Sequence, residues 1–179
     1  MLERLKKKHS YRRADISMNT ELVIPKKTPV TRRKTMETHD VGVRVFYSNG
    51  EYRKALRVNV WGNTLCPHAL RSSNGKSHIQ RADATLEIET DYENKIELEE
   101  MIKCVEESFP SEIYTLLKTE DEVYVVNKMF KRPKFVEDVT REILRDAKKR
   151  FSDCEVRVRT VSHESIHRHN VIAEGKCRC

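Results

Sequence analysis

No run of apolar residues in this chain is long enough to span a bilayer, which argues against a helical membrane protein. The opening MLERLKKKHSYRR lacks the apolar core of a secretion signal, so a cytoplasmic location is expected. The five cysteines, Cys66, Cys104, Cys154, Cys177 and Cys179, are odd in number and form no repeated CxxC. That spacing argues against a disulfide framework and for reduced thiols. Neither an aromatic RNA-binding signature nor a helix-turn-helix pattern is present. Internal repeats and βαβ alternation are lacking as well, which sets aside solenoids and a parallel sheet.

What the chain does have is charge. Ionic residues make up 35% of its 179 residues against 37% hydrophobic, with a net charge of +7. The pI near 9.2 favours an anionic partner: nucleic acid, nucleotide or membrane surface. The length suits one domain with a real core, provided one face of a sheet is buried.

The hydrophobic pattern starts with a period of two. Residues 1–12 suggest a short basic helix, and DISMNTELVIP then alternates as a strand with one wet face. KKTPVTRRKTM, broken by Pro29, reads as a loop or bulged edge. Val41, Val43, Val45 and Tyr47 alternate, as do Leu56, Val58 and Val60, with Asn49-Gly50 between them. Both turn residues tolerate positive φ, so a tight hairpin is predicted. After the irregular NTLCPHALRSSNGKSH comes another alternation, Ala82, Ala84, Leu86 and Ile88. The period then lengthens. Leu98, Met101, Ile102, Val105 and Phe109 fit one helix face, and Phe135, Val139, Ile143 and Ala147 another. CEVRVRTV returns to strand, and residues 175–179, with the CRC ending, read as a flexible tail. Strands, then two or three helices, then strands predict an α+β fold with helices on one face of an antiparallel sheet.

Several residues have chemistry that exceeds this scaffold. Cys66 precedes Pro67 in a loop, with His68 close by and His78 twelve residues on. Thiolate and imidazole are good ligands for zinc or iron, although the spacing is not that of a zinc finger; a half-buried cysteine and a surface histidine are the alternative. Glu122 lies in the acidic start of a predicted helix, where dipole stabilisation alone accounts for a carboxylate. Glu137 points off the apolar stripe of its helix. It is either solvated or turned to a pocket, where a carboxylate can accept the paired N–H groups of a guanine edge. HESIHRHNV packs His163, Glu164, His167 and His169 into seven residues. If extended, it presents the three histidines on one face and Glu164 on the other. Such imidazoles bind metal or move protons near neutral pH, or else they decorate a basic tail.

Taken in order, LCPHALRSSNGKSHIQR, SEIYTLLKTEDEVYVV, RPKFVEDVTREI and ESIHRHN resemble the type IB GTP cyclohydrolases, in particular the archaeal branch that opens methanopterin synthesis. The resemblance runs from about residue 13 to 174. It implies the tunnelling fold, in which antiparallel sheets and helix pairs associate into a barrel. It also implies metal-dependent opening of the guanine ring of GTP, with carbon 8 leaving as formate. The implied product is a dihydroneopterin phosphate, in this branch the 2′,3′-cyclic phosphate released with diphosphate, and the implied metal is Fe(II), with Zn(II) or Mn(II) as alternatives. Carried over by position, Cys66, His78, Glu122 and His167 fall on metal-site places, and Glu137 on the guanine-anchoring carboxylate. Glu164 and His169 fall on further active-site places suited to proton transfer, and His163 is left without a role. Arg71, Lys76, Arg81 and Lys118 are candidates for the triphosphate on charge alone.

Two departures from the family pattern stand out. Many members have CPC where this chain has Cys66-Pro67-His68. Family chains also begin with another half carrying DLP and GxHMSR-like segments, neither of which is present. The expectation is therefore a homo-oligomer, or a chain completed by a separate N-terminal half, whose activity alone is in question because an incomplete barrel leaves sheet edges open. Two other classes compete. A basic nucleic-acid-binding α+β module explains the charge but not Cys66, His78 or ESIHxH, so no nucleic acid partner is expected. A catalytically silent tunnelling-fold partner subunit is the other.

Overall fold

The structure, a computed structural model, describes residues 1–179. In chain order the elements are α1 (Leu2–Lys6), β1 (Arg13–Lys27), β2 (Lys34–Ser48), β3 (Glu51–Leu65), α2 (Pro67–Ser72) and β4 (Ile79–Asp91). Then follow α3 (Leu98–Ser108), α4 (Thr119–Lys131), α5 (Val136–Arg150), β5 (Cys154–Ser162) and β6 (Val171–Arg178). The six strands form one sheet in sequence order, and every neighbouring pair is antiparallel. The fold is thus α+β with an antiparallel sheet, as the alternation predicts. No helix is long and apolar enough to cross a membrane.

The sheet is dry on one face and wet on the other, because successive side chains point to opposite sides. Leu56, Val58 and Val60 of β3, Ala82 to Ile88 of β4, and Val156 and Val158 of β5 bury their alternate residues under α3 and α5. The opposite face carries cross-strand ion pairs such as Arg157–Glu87 at 3.3 Å and Arg44–Asp15 at 3.2 Å. These are solvent-exposed and favour register more than stability. Asn49 (φ 53°) and Gly50 (φ 96°) close the β2–β3 hairpin in the positive-φ pair that a two-residue turn needs.

The helices bury the faces their spacing predicts. Val136, Val139, Ile143 and Ala147 of α5 face the sheet, as do Met101, Ile102 and Val105 of α3. Phe109, just past α3, is 1% exposed and sits on Gly62 of β3. A Cβ at Gly62 would lie 2.3 Å from the ring, so only glycine admits the aromatic there. α4 stands apart, covering Leu65 with Val125 and Met129. Its start is clasped to the β1–β2 turn by the buried Asp121. One carboxylate oxygen accepts the N–H groups of Val30 (2.8 Å) and Thr31 (2.9 Å). The other accepts the Thr31 hydroxyl (2.6 Å) and the Lys118 N–H (3.1 Å). Burial alone would raise the Asp121 pKa, but the Thr31 hydroxyl and these backbone donors hold it well below the usual carboxylate range.

The structure departs from the sequence expectation at three places. KKTPVTRRKTM is strand at both ends: β1 continues through Lys27 and β2 begins at Lys34, leaving residues 28–33 as the connection. Polar Thr35, Glu37 and His39 occupy inward positions of β2, which hides the alternation from a hydrophobicity reading. The ending is not a flexible tail. β6 pairs along β5, and beyond it Cys179 and Cys154 exchange backbone hydrogen bonds of 2.9 and 3.2 Å. Phe135 does not begin the α5 stripe; it is the residue preceding the helix, 40% exposed.

Candidate active site

The apolar interior turns polar at one end of the sheet. Thr64, Gln80 and Ser162 continue the inward phases of β3, β4 and β5, where further apolar side chains would be expected. They floor a cavity of about 270 Å³ roofed by the start of α5 and the segment between β5 and β6.

Cys66 enters this cavity because the chain after β3 turns immediately into a helix. Its backbone is extended, Pro67 occupies the first helical turn, and its sulfur accepts the Ala69 N–H at 3.3 Å. Its own N–H bonds the His78 carbonyl (3.4 Å) and its carbonyl accepts the Ser77 hydroxyl (2.8 Å). Thiol and imidazole are thereby set side by side at the base of one excursion. His78 Nδ1 lies 2.8 Å from the Gln80 amide oxygen and 3.9 Å from Glu164 Oε2. Glu164 Oε1 receives the Ser162 hydroxyl (2.8 Å) and the Gln80 amide (3.3 Å). The His167 ring stands 6.2 Å from that of His78 and 5.4 Å from that of His169, centre to centre.

On the α5 side, the bridge Leu65↔Lys134 ties the helix entrance to the end of β3. Lys134 lines the cavity while its ammonium donates to the Ser108 carbonyl (2.7 Å) and pairs with Glu142. Burial pushes its pKa down, opposed by Glu142. Glu137, in the first turn of α5, and the half-exposed Phe135 form the mouth.

Of the residues singled out from sequence, Cys66, His78, Glu137, Glu164, His167 and His169 converge on this one cavity. The others do not. Glu122 is exposed on α4 and absent from the cavity wall, because the Asp121 clasp fixes which way the first turn of α4 faces. Lys118 is the exposed residue preceding α4. Arg71 and Lys76 are exposed on α2 and the turn after it, as is His68. Arg81 lies on the opposite sheet face, its guanidinium 4.7 Å from the centre of the Trp61 ring. The histidine segment is bent over residues 165–169 rather than extended, so His167 and His169 share the cavity with Glu164 instead of the face of His163. Glu164 faces the cavity, whereas His163 stacks on Trp61 (5.4 Å) and meets Asp83 at 2.8 Å on the wet face.

Sequence reasoning missed Thr64, Gln80, Ser162 and Lys134. The first three carried a usable signal, since each is a polar residue in phase with a buried apolar series. Lys134 carried none. As for a metal, the donor chemistry of Cys66 and His78 suits a divalent ion of intermediate softness. The expected four-residue set is not assembled, however: nowhere do three or more His, Cys, Asp or Glu side chains gather closely enough to hold an ion.

Fold and site together define an α+β protein that gathers a thiol, imidazoles and carboxylates at one end of an antiparallel sheet. A family model described as type I GTP cyclohydrolase folE2 matches residues 1–173, and the chain belongs to that family. It is 49% identical over 175 residues to the GTP cyclohydrolase MptA of Pyrococcus abyssi and 52% identical to that of Thermococcus kodakarensis. The first alignment covers 98% of this chain and the second 97%, each spanning 65% of the relative. The GTP cyclohydrolase FolE2 of Thermosipho africanus is 36% identical over 173 residues, covering 97% of this chain and 66% of its own length. The chain thus spans just under two thirds of the relatives it matches.

Proposed function

We propose that this chain forms the purine-opening site of a GTP cyclohydrolase acting at the start of pterin synthesis. The observation that carries the reading is the convergence of Cys66, His78, Glu137, Glu164, His167 and His169 on one cavity in a chain of this family. The proposed reaction converts GTP to a dihydroneopterin phosphate, in the methanopterin branch the 2′,3′-cyclic phosphate, with release of formate and diphosphate. In this proposal the chain is a single tunnelling-fold domain, assembled with copies of itself or with the further segment that its longer relatives carry.

Each side chain then has a defined task. Glu137, at the exposed rim, accepts the two parallel N–H groups of the guanine edge and sets the ring in register. Cys66 and His78 are the donors proposed for a divalent ion, Fe(II) with Zn(II) or Mn(II) as alternatives, and His167, its ring 6.2 Å from that of His78, would have to close on them to complete the set. Such an ion supplies hydroxide at neutral pH by lowering the pKa of its bound water. Glu164 keeps Oε2 free of hydrogen bonds while Oε1 is doubly engaged, so Oε2 is the oxygen that exchanges a proton with the purine. His169, stacked on His167, is the second proton carrier. Arg71 and Lys76, exposed beside the cavity's cysteine, are the proposed triphosphate contacts. Arg81 is dropped from that role because it faces the other side of the sheet.

The test is an anaerobic assay with Fe(II) and GTP, following formate and pterin fluorescence, on the chain together with the segment its relatives add. Turnover is expected. Binding of metal and GTP without turnover by that complete assembly refutes the enzyme reading and favours a silent partner subunit. Cys66→Ala is expected to abolish metal binding, and stoichiometric metal in that variant overturns the ligand assignment.

A further inference from the structure

We infer that Gln80 is a positioning residue that fixes the tautomer of His78, so that Nε2 rather than Nδ1 carries the lone pair. The functional meaning rests on the proposed site, but the hydrogen assignment stands on geometry. It can be worked along one chain of contacts, starting from the group that cannot donate. An ionised carboxylate only accepts, so the 2.8 Å contact between Ser162 Oγ and Glu164 Oε1 uses the serine hydrogen. Ser162 therefore accepts across its 2.7 Å contact with Thr64, and Thr64 donates. With that hydrogen committed, the 2.9 Å contact between Thr64 and Gln80 is supplied by the glutamine Nε2–H. The second amide hydrogen of Gln80 goes to Glu164 Oε1 at 3.3 Å.

Both donors of Gln80 are now spent, and its amide oxygen faces His78 Nδ1 at 2.8 Å. That contact needs a hydrogen on Nδ1. Neutral imidazole has one such hydrogen, so Nε2 is left as the bare nitrogen. Flipping the amide would set its oxygen against the Glu164 carboxylate and against a threonine whose hydrogen is already used. Gln80 is 7% exposed and Thr64 and Ser162 are each 1% exposed, so these three groups depend on one another for their hydrogen bonds. The negative charge on Glu164 is thus relayed through the Gln80 amide to a histidine it does not itself hydrogen-bond. A ligating or proton-accepting histidine generally depends on such a partner at its other nitrogen. Here the partner comes two residues along the chain, on the strand β4 that His78 precedes.

The experiment is ¹⁵N NMR of the metal-free protein labelled only at histidine, above the titration range of imidazole, with the His78 signals assigned by their loss in His78→Ala. The parent protein is expected to show a protonated, pyrrole-type Nδ1 and a pyridine-type Nε2. Gln80→Leu should invert the ratio toward the Nε2–H form that an unrestrained histidine favours. An Nε2–H tautomer in the parent overturns the proposal, as does an unchanged ratio in Gln80→Leu. Should Gln80→Leu fail to fold, the parent still decides, since Nε2–H there refutes the proposal. No GTP turnover alongside an Nδ1–H His78 refutes the proposed function and leaves this assignment standing. Turnover alongside Nε2–H does the reverse.

Discussion

Gly62→Ala probes the seat on which the α3 end of the molecule rests. The added Cβ would lie 2.3, 2.4 and 2.7 Å from Cγ, Cδ2 and Cδ1 of Phe109, whereas carbon atoms pack at about 3.5–4.0 Å. The contact is with the body of the ring rather than a flexible tip, and Phe109 is 1% exposed. Ring and strand must therefore separate by more than an ångström inside a packed core. Overpacking of this kind costs about 1–3 kcal/mol, and the depth of this overlap places it at the upper end, about 3 kcal/mol. For a chain of this size, each kcal/mol lowers Tm by about 2–4 °C, giving a fall of about 6–12 °C in a thermal melt. Phe109→Leu alone removes ring contacts and is destabilising in its own right. In the Gly62→Ala background it relieves the clash, so the two changes should couple by at least about 1 kcal/mol in a double-mutant cycle. A Gly62→Ala protein melting within about 1 °C of the parent, or strict additivity of the pair, refutes the reasoning.

Other consequences are equally open to measurement. Asp121 has a folded pKa below its unfolded value, so its contribution to stability is full above the ordinary aspartate range near 3.9 and is lost as pH falls toward the folded value. Urea midpoints of Asp121→Asn should be lower than the parent's at neutral pH, and the gap should narrow as pH drops below about 4. Burial pushes the Cys104 thiol up to about 12, leaving it protonated and inert at neutral pH. Iodoacetamide followed by mass mapping should label Cys66 while native Cys104 stays unmodified, becoming reactive only in denaturant. Glu137→Gln should weaken GTP binding by roughly 10- to 30-fold, the loss of a charge-assisted pair of about 1.5–2 kcal/mol, read by calorimetry on the complete assembly.

The parts of this molecule legible from sequence are those governed by local period. Alternation at Val58–Val60 and Ala82–Ile88 fixed both the strands and their dry face, and Asn49-Gly50 fixed the hairpin. The spacing from Val139 to Ala147 gave the buried face of α5. Less legible were elements whose inward residues are polar. Thr35, Glu37 and His39 mask the start of β2, where Glu37 is held by the Thr115 N–H and hydroxyl rather than by apolar neighbours. β6 escaped notice because Ala173, Gly175 and Cys177 gain their burial only from α5 and β5. For the candidate site, motif order located six converging residues. Direction was another matter: Glu164 and His163 keep the in-and-out alternation of β5, and the bend at Ser165 to His169 turns His167 and His169 to the side of Glu164, while the Asp121 clasp turns Glu122 away.

The excursion from Cys66 to His78 is closed at its base by the bonds Cys66 N–H to His78 carbonyl and Ser77 hydroxyl to Cys66 carbonyl. The spacing of thiol and imidazole is therefore decided where the two strands part, and the distal turn at Asn74 (φ 50°) and Gly75 (φ 80°) lies exposed beyond it. Such a tip is a permissive address. A reporter peptide or fluorophore grafted at residues 74–75 would ride beside the cavity without altering its dimensions, offering an optical handle on occupancy in a protein whose single tryptophan, Trp61, reports on the other face.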